Sequence, residues 1–295
     1  MKLNNKKLVI IAGLLSVGGA IAATTSSATM VQTNSSTTPV AKAMPVQASA
    51  LVTAPEAFSI PAGAPVTAAL MDKCWDNREN LNNQKIIAAY LMTKPAIPSD
   101  YEAAWKLSRM VYFIGNFGIG ETQFLTTSAG VKLFRYGADA GEVAKKLNPN
   151  AVEGYFWYAV DLGSYGLANG IVASASNAGS GMDALRKAKS IDDSYQGYGS
   201  SRILGRYYQE LPGIFGGSSS KAQELLNYAV QQAPEYRKNW AFLGNFYLSQ
   251  KDYANAMKAC SKAISLSPKE GKYEEIRYMR ESKECIAKAK AGLSS

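Results

Sequence analysis

Four residues of this chain have the chemistry to hold a negatively charged group: Arg202, Arg206, Lys238 and Asn245. Arg202 and Arg206 stand one helical turn apart, and guanidinium groups suit planar, two-pronged capture of a carboxylate. Lys238 adds a point charge, and Asn245 offers both a donor and an acceptor. Three cations on one surface repel one another, so the expected complement is a carboxylate from a solute or from a partner's chain end. The alternative is a solvated face on which Glu210 answers Arg206 at i, i+4. The other end of the same surface is largely apolar, with Lys106 beside Ala103 and Met110, and Phe156 beside Glu153 and Val160.

Reaction chemistry has little to work with. The chain contains no histidine, which removes the commonest general base, the commonest metal ligand and the usual partner of a nucleophilic Ser or Cys. No paired acids sit in a recognisable motif, and the glycines between Gly115 and Gly120 lack the strand-then-helix context of a phosphate loop. The sequence therefore points away from an enzyme, and no metal or cofactor is expected.

What must position the cations is a pair of helices. Trp240, Leu243, Gly244 and Tyr247 fall on a first helix, and Ala256, Ala263 and Pro268 on and after a second. One period of about 34 residues earlier, Ala222, Leu226, Ala229 and Pro234 repeat Ala256, Cys260, Ala263 and Pro268 in type and order. Small residues let two antiparallel helices approach, large ones fill the space between them, and proline ends the second helix. This pattern resembles the tetratricopeptide repeat, whose groove-facing positions lie two before, one after and five after the Trp. Those offsets select Lys238, Ala241 and Asn245, and in the preceding repeat Gly199, Arg202 and Arg206. That earlier copy, Leu204-Gly205 with Tyr208, carries five extra residues within Leu211 to Gly217. There Ile214 and Phe215 are either a plug packed on the helices, the favoured reading, or a lip over a groove.

The remaining chain reads as all-α. Residues 1–22 look like a secretory signal peptide, with Lys2, Lys6 and Lys7 before an apolar run and Ala20-Ile21-Ala22 at the cut. Its removal takes the net charge from +9 to +6, too mild and too scattered for a nucleic-acid partner. Residues 23–65 are rich in Thr, Ser, Ala and Pro with almost no charged or aromatic residue, a linker composition. Residues 66–295 are expected to form a right-handed solenoid of irregular helix hairpins, best repeated over 199–234 and 237–270, with a capping helix over 271–291. The first helix is expected to run from Val66 to Thr93. Ser99 and Glu102 should cap the second, and a break is expected near Ala178 to Gly181. Of three cysteines, Cys260 and Cys285 are placed about 10 Å apart along the helix axis if the turn lies near residue 269, too far to bridge.

The order of motifs also resembles a family, the periplasmic TPR-like T-components of TRAP transporters. The matching pieces are Asp100-Tyr101-Glu102-Ala103-Ala104-Trp105, Leu147-Asn148-Pro149, Gly154 to Ala159, Leu204-Gly205-Arg206-Tyr207-Tyr208, and Leu211-Pro212-Gly213 with Gly216-Gly217. The resemblance implies a solenoid around a cavity, in some members a trimer. It also implies a periplasmic substrate-binding protein as partner and a small organic-acid or apolar solute as ligand. The chain departs from the family in lacking a lipoprotein cysteine at the signal end. Two classes stay open: an accessory of solute transport, favoured by a closed pocket, and an envelope protein–protein scaffold, favoured by an open groove.

Overall fold

The structure is a computed structural model that describes residues 57–124 and 127–294. The expected signal peptide and most of the expected linker lie outside those residues. The described part contains α-helices and one 3-10 turn, without strands. In chain order the helices are α1 Ala68–Asp76, α2 Leu81–Met92, α3 Tyr101–Asn116, α4 Ile119–Gln123, α5 Ser128–Leu147 and α6 Val152–Asn169. They continue as α7 Ile171–Ile191, α8 Tyr195–Glu210, α9 Ser219–Gln232, α10 Arg237–Ser249, α11 Tyr253–Ser265 and α12 Lys272–Leu293. Consecutive antiparallel hairpins stack, as a chain of amphipathic pairs must if each apolar face is to be buried. Together they form a TPR-like helical solenoid.

Local chemistry sets most helix ends. The expected helix from Val66 to Thr93 is two helices, because Asn77 caps the end of α1 and the Asn80 side chain accepts from Asn82 and Asn83 at the start of α2. Asp100, rather than Ser99, caps α3 by accepting from Ala103 N–H at 2.8 Å. The break expected at Ala178 to Gly181 is absent. It falls at Gly170, whose φ of +93° ends α6 and starts α7. Helix α8 opens on a left-handed turn in which Gln196, Gly197 and Tyr198 all have positive φ. Among the described residues Phe58, Ile60 and Ala64 lie against the core, and the Ala64 carbonyl accepts from the Tyr90 hydroxyl.

The repeat residues do what their sizes suggest. Leu243, Ala256 and Ala263 are buried. A side chain at Gly244 would run into Cys260 Sγ, so only glycine lets α10 and α11 approach this closely. Helix α11 stops at Ser265, ahead of Pro268. Trp240 is half-buried and donates from Nε1 to the Pro234 carbonyl at 2.8 Å, and Tyr247 packs in the cluster around Leu226.

The expectation for the cysteines is corrected. Cys260 and Cys285 form a disulfide with their Cα atoms 6.4 Å apart. The connection is centred near residue 269, but it is a six-residue segment rather than a tight turn. Residues 266–271 run on past the end of α11, so α12 starts late and returns out of the assumed register. Its second half lies along α11, while its first half overhangs α11 and crosses to the N-terminal helices. There Arg277 donates to the Asn116 carbonyl at 2.9 Å, and Arg280 pairs with Glu121. The Tyr278 ring meets Phe117 and Phe242 at 6.3 and 6.1 Å.

Candidate functional site

The overhanging half of α12 fills the surface that the repeat offsets mark as the groove. Beneath it lies a narrow cavity of about 30 Å³ bounded by Trp75, Tyr112, Phe156, Arg202, Lys238, Glu274 and Tyr278, among others. A space of that size holds one or two waters. An organic-acid solute has no room there.

Three sequence candidates meet at this cavity. Phe156 is buried and packs edge-on to Trp157 and Tyr195. Lys238 is buried too, and pairs with Glu270 from the segment before α12. Burial pulls the Lys238 ammonium below its ordinary range, partly offset by Glu270. Arg202, 3% exposed, sends Nη1 to Asn239 Oδ1 at 2.7 Å and to the carbonyls of Gln196 and Gly197 at 3.3 Å each. Asn239 in turn donates to the carbonyls of Gly197, Ala229 and Ala233. These bonds hold the left-handed turn that opens α8, where a side chain on Gly197 would strike Tyr236.

The other candidates lie apart. Arg206 pairs with Glu210 at 3.0 Å and lies near the Phe242 ring, as does Arg202, with ring-centre distances of 6.0 and 5.8 Å. Asn245 is half-buried, outside the cavity, and makes no hydrogen bond among the described residues. Lys106 pairs with Asp72 at 2.8 Å and Glu102 at 3.2 Å. Ile214 and Phe215 are 83% and 49% exposed. They form neither a plug nor a lip over the cavity, and the reason is local: the 3-10 turn Gly213–Phe215 points both outward.

Sequence reasoning missed the acids that face the cations. Glu270 and Glu274 belong to no repeat position, yet the segment before α12 and α12 itself bring them to the groove. Burial pushes the Glu274 carboxyl up to about 7, moderated by Lys238 and reinforced by Glu270. Trp75 was missed as well. Its ring lies between the guanidinium groups of Arg78 and Arg109, at 3.8 and 3.9 Å; the Trp75–Arg78 spacing of one turn was the available signal.

A second concavity is wider and open. It is a cleft of about 490 Å³ between α5 and α7, floored by Tyr155, Tyr158 and Leu162 of α6. Its walls carry Arg135 paired with Asp139 at 2.9 Å, and Glu142 paired with Lys145 at 2.6 Å. The Lys145 ammonium sits over the Tyr158 ring at 3.7 Å. Gly141 makes this floor possible, since a Cβ there would fall 2.6 Å from Tyr158 Cα. Aromatic and paired charged groups on an open shelf suit an extended chain with mixed polarity, gripped through rings and backbone. Buried Cys74, whose thiol burial pushes up to about 12, offers no nucleophile.

No known family profile matches the chain, and no curated protein matches it. Among solved structures, the chain is similar to a thermophilic TPR protein of Thermus thermophilus, with 16% identity and a TM-score of 0.51. The match covers 75% of this chain and 97% of the other. At that identity the likeness concerns the fold, and the fold is a TPR-like helical solenoid.

Proposed function

We propose that this chain is a non-enzymatic, exported TPR-like scaffold that holds an extended segment of a partner protein. The observation that carries this reading is the contrast between its two concavities. The groove expected to take a solute is filled by α12, while the cleft over Tyr155 and Tyr158 is open and, at about 490 Å³, has room for a short peptide segment. The disulfide supports an oxidising compartment, in keeping with the signal-like N-terminus. A peptide library panned against the purified protein tests the idea. Peptides selected on the wild type should lose at least tenfold in affinity for Tyr158→Ala, with the melting temperature of a Tyr155→Phe control unchanged. Selection that is indifferent to Tyr158 sinks it.

A narrower reading is an accessory of TRAP-type transport whose partner is a periplasmic substrate-binding protein. It rests on the motif order and on the exposed loop, where Ile214 and Phe215 offer an apolar tip of the kind that seats in a partner. Mixing the protein with purified TRAP substrate-binding proteins and measuring mass by light scattering tests it. A complex that survives Ile214→Ser with Phe215→Ser counts against that tip, and no complex at all counts against the transport role.

A further inference from the structure

The cavity under α12 has a feature that neither a scaffold nor a tight core requires. Arg202 is a buried cation with no carboxylate in direct contact. All three of its hydrogen bonds leave from Nη1. Its Nε is sealed off without a partner, and Nη2 makes no hydrogen bond among the described residues. The other walls repeat the pattern. Tyr278 is 5% exposed, and its hydroxyl, like that of Tyr112, has no hydrogen-bond partner among the described residues. Both line the same cavity as Arg202. Burial holds both phenols protonated, so each has an O–H to give. An unpaired buried donor is costly; Arg202 Nε is one, and Arg202 shares a space of about 30 Å³ with the two tyrosines whose hydroxyls lack a protein partner. Such a space is suited to an acceptor.

We propose that this cavity is a binding site for one small anion of the halide class, held by Arg202 and the hydroxyls of Tyr112 and Tyr278. A halide is about the size of a water molecule, so it fits where a carboxylate-bearing solute does not. It would also balance the guanidinium. The aromatic walls, Trp75, Phe156 and Trp157, present edges as well as faces, and ring edges carry partial positive charge. Glu274 reaches the same cavity and faces Lys238, Glu270, Arg78 and Glu79. When protonated it adds a donor, and when ionised it competes with the anion. Binding should therefore tighten as pH falls from 8 to 6. This site stands independently of the peptide cleft.

The test uses the full chain and the halide itself. Melting curves are recorded over a titration of sodium chloride or bromide against sodium gluconate, whose anion is too large for the cavity, at matched ionic strength. Chloride and bromide should raise the melting temperature along a saturating curve, and gluconate should not. Crystals soaked in bromide should show an anomalous peak beside Arg202. Arg202→Met risks the α8 turn, so the diagnostic variant is Tyr112→Phe. It should weaken halide affinity about tenfold, the loss of one charge-assisted hydrogen bond, with its gluconate melting temperature unchanged. Identical chloride and gluconate curves overturn the proposal, as does a cavity that holds only water in bromide-soaked crystals. Halide dependence untouched by Tyr112→Phe also overturns it.

Discussion

Arg237 Nε donates to Glu275 Oε2 across 2.5 Å, and this one pair fastens three segments. The same guanidinium donates to the carbonyls of Ala263 and Leu266 at 2.7 and 2.6 Å, closing the end of α11. Glu275 Oε1 accepts from the N–H groups of Lys269 and Glu270, fixing the segment that carries α12 past α11. Both side chains are almost fully enclosed. Arg237→Met should therefore lower stability by about 3–5 kcal/mol, since it strands a buried carboxylate. Urea melts of the variant check this. A loss under about 1 kcal/mol means the pair is not what seats α12.

Two neighbouring glutamates should give stability a maximum in pH. Burial alone would raise the Glu275 carboxyl, but the Lys269 N–H, Arg237 and the Glu270 N–H outweigh it and hold it below its ordinary value. Its contribution is present above its unfolded pKa and is lost as pH falls through the folded one. Glu274 is the reverse case. With its carboxyl at about 7 in the fold, its contribution is full below ~4.3, its unfolded value, and is lost as pH rises through about 7. The loss is on the order of 3 kcal/mol at ~1.36 kcal/mol per pH unit. Glu274→Gln should thus gain on the wild type at pH 8 and match it near pH 4. Equal differences at both pH values, in urea melts, refute the assignment.

The disulfide closes a 25-residue separation, and the chain-entropy account assigns such a link about 3.5 kcal/mol. Reductant, or Cys260→Ser with Cys285→Ser, should lower the melting temperature by roughly 7–14 °C for a domain of this size. A thermal scan with and without reductant measures it. No shift would show that the thiols are not joined.

Two glycines, one in α7 and one in α5, should respond oppositely to alanine. Gly179 lies inside α7, and a Cβ placed on it would meet nothing within 4 Å. Gly179→Ala should therefore stabilise by about 0.5–1 kcal/mol through a stiffer unfolded chain. Gly141 abuts the backbone of Tyr158, and Gly141→Ala should cost about 1–3 kcal/mol by forcing α5 and α6 apart. Chemical denaturation of the two variants side by side decides. The same sign for both refutes the packing described.

The C-terminal repeats were legible because their signature is steric. Gly244, Ala256 and Ala263 have to be small wherever two helices touch, and the period fixes their partners. Helix ends were less legible. Glycines at Gly179 and Gly181 look like a break in sequence, but a long helix tolerates them when its neighbours hold it. The three cations do not meet as one group, and the offsets could not say that Glu270 would pair with Lys238 from within the same chain. That depends on the register of α12, set by 266–271 and by a salt bridge spanning 38 residues, and no local pattern encodes it. Arg202 illustrates the same limit. Its position was predictable, but its bond to Asn239 was not, because it depends on three consecutive left-handed residues that propensity disfavours.

The overhang of α12 also has a kinetic side. In an open repeat array each hairpin is finished once its neighbour exists, so order can spread from either end. Here the contact between Arg277 and Asn116 spans 161 residues, and the N-terminal helices gain their cover only when nearly the last of the chain is available. Such a non-local closure slows folding. Until α12 has been made, the contacts of Arg277 and Tyr278 that cover the N-terminal helices cannot form.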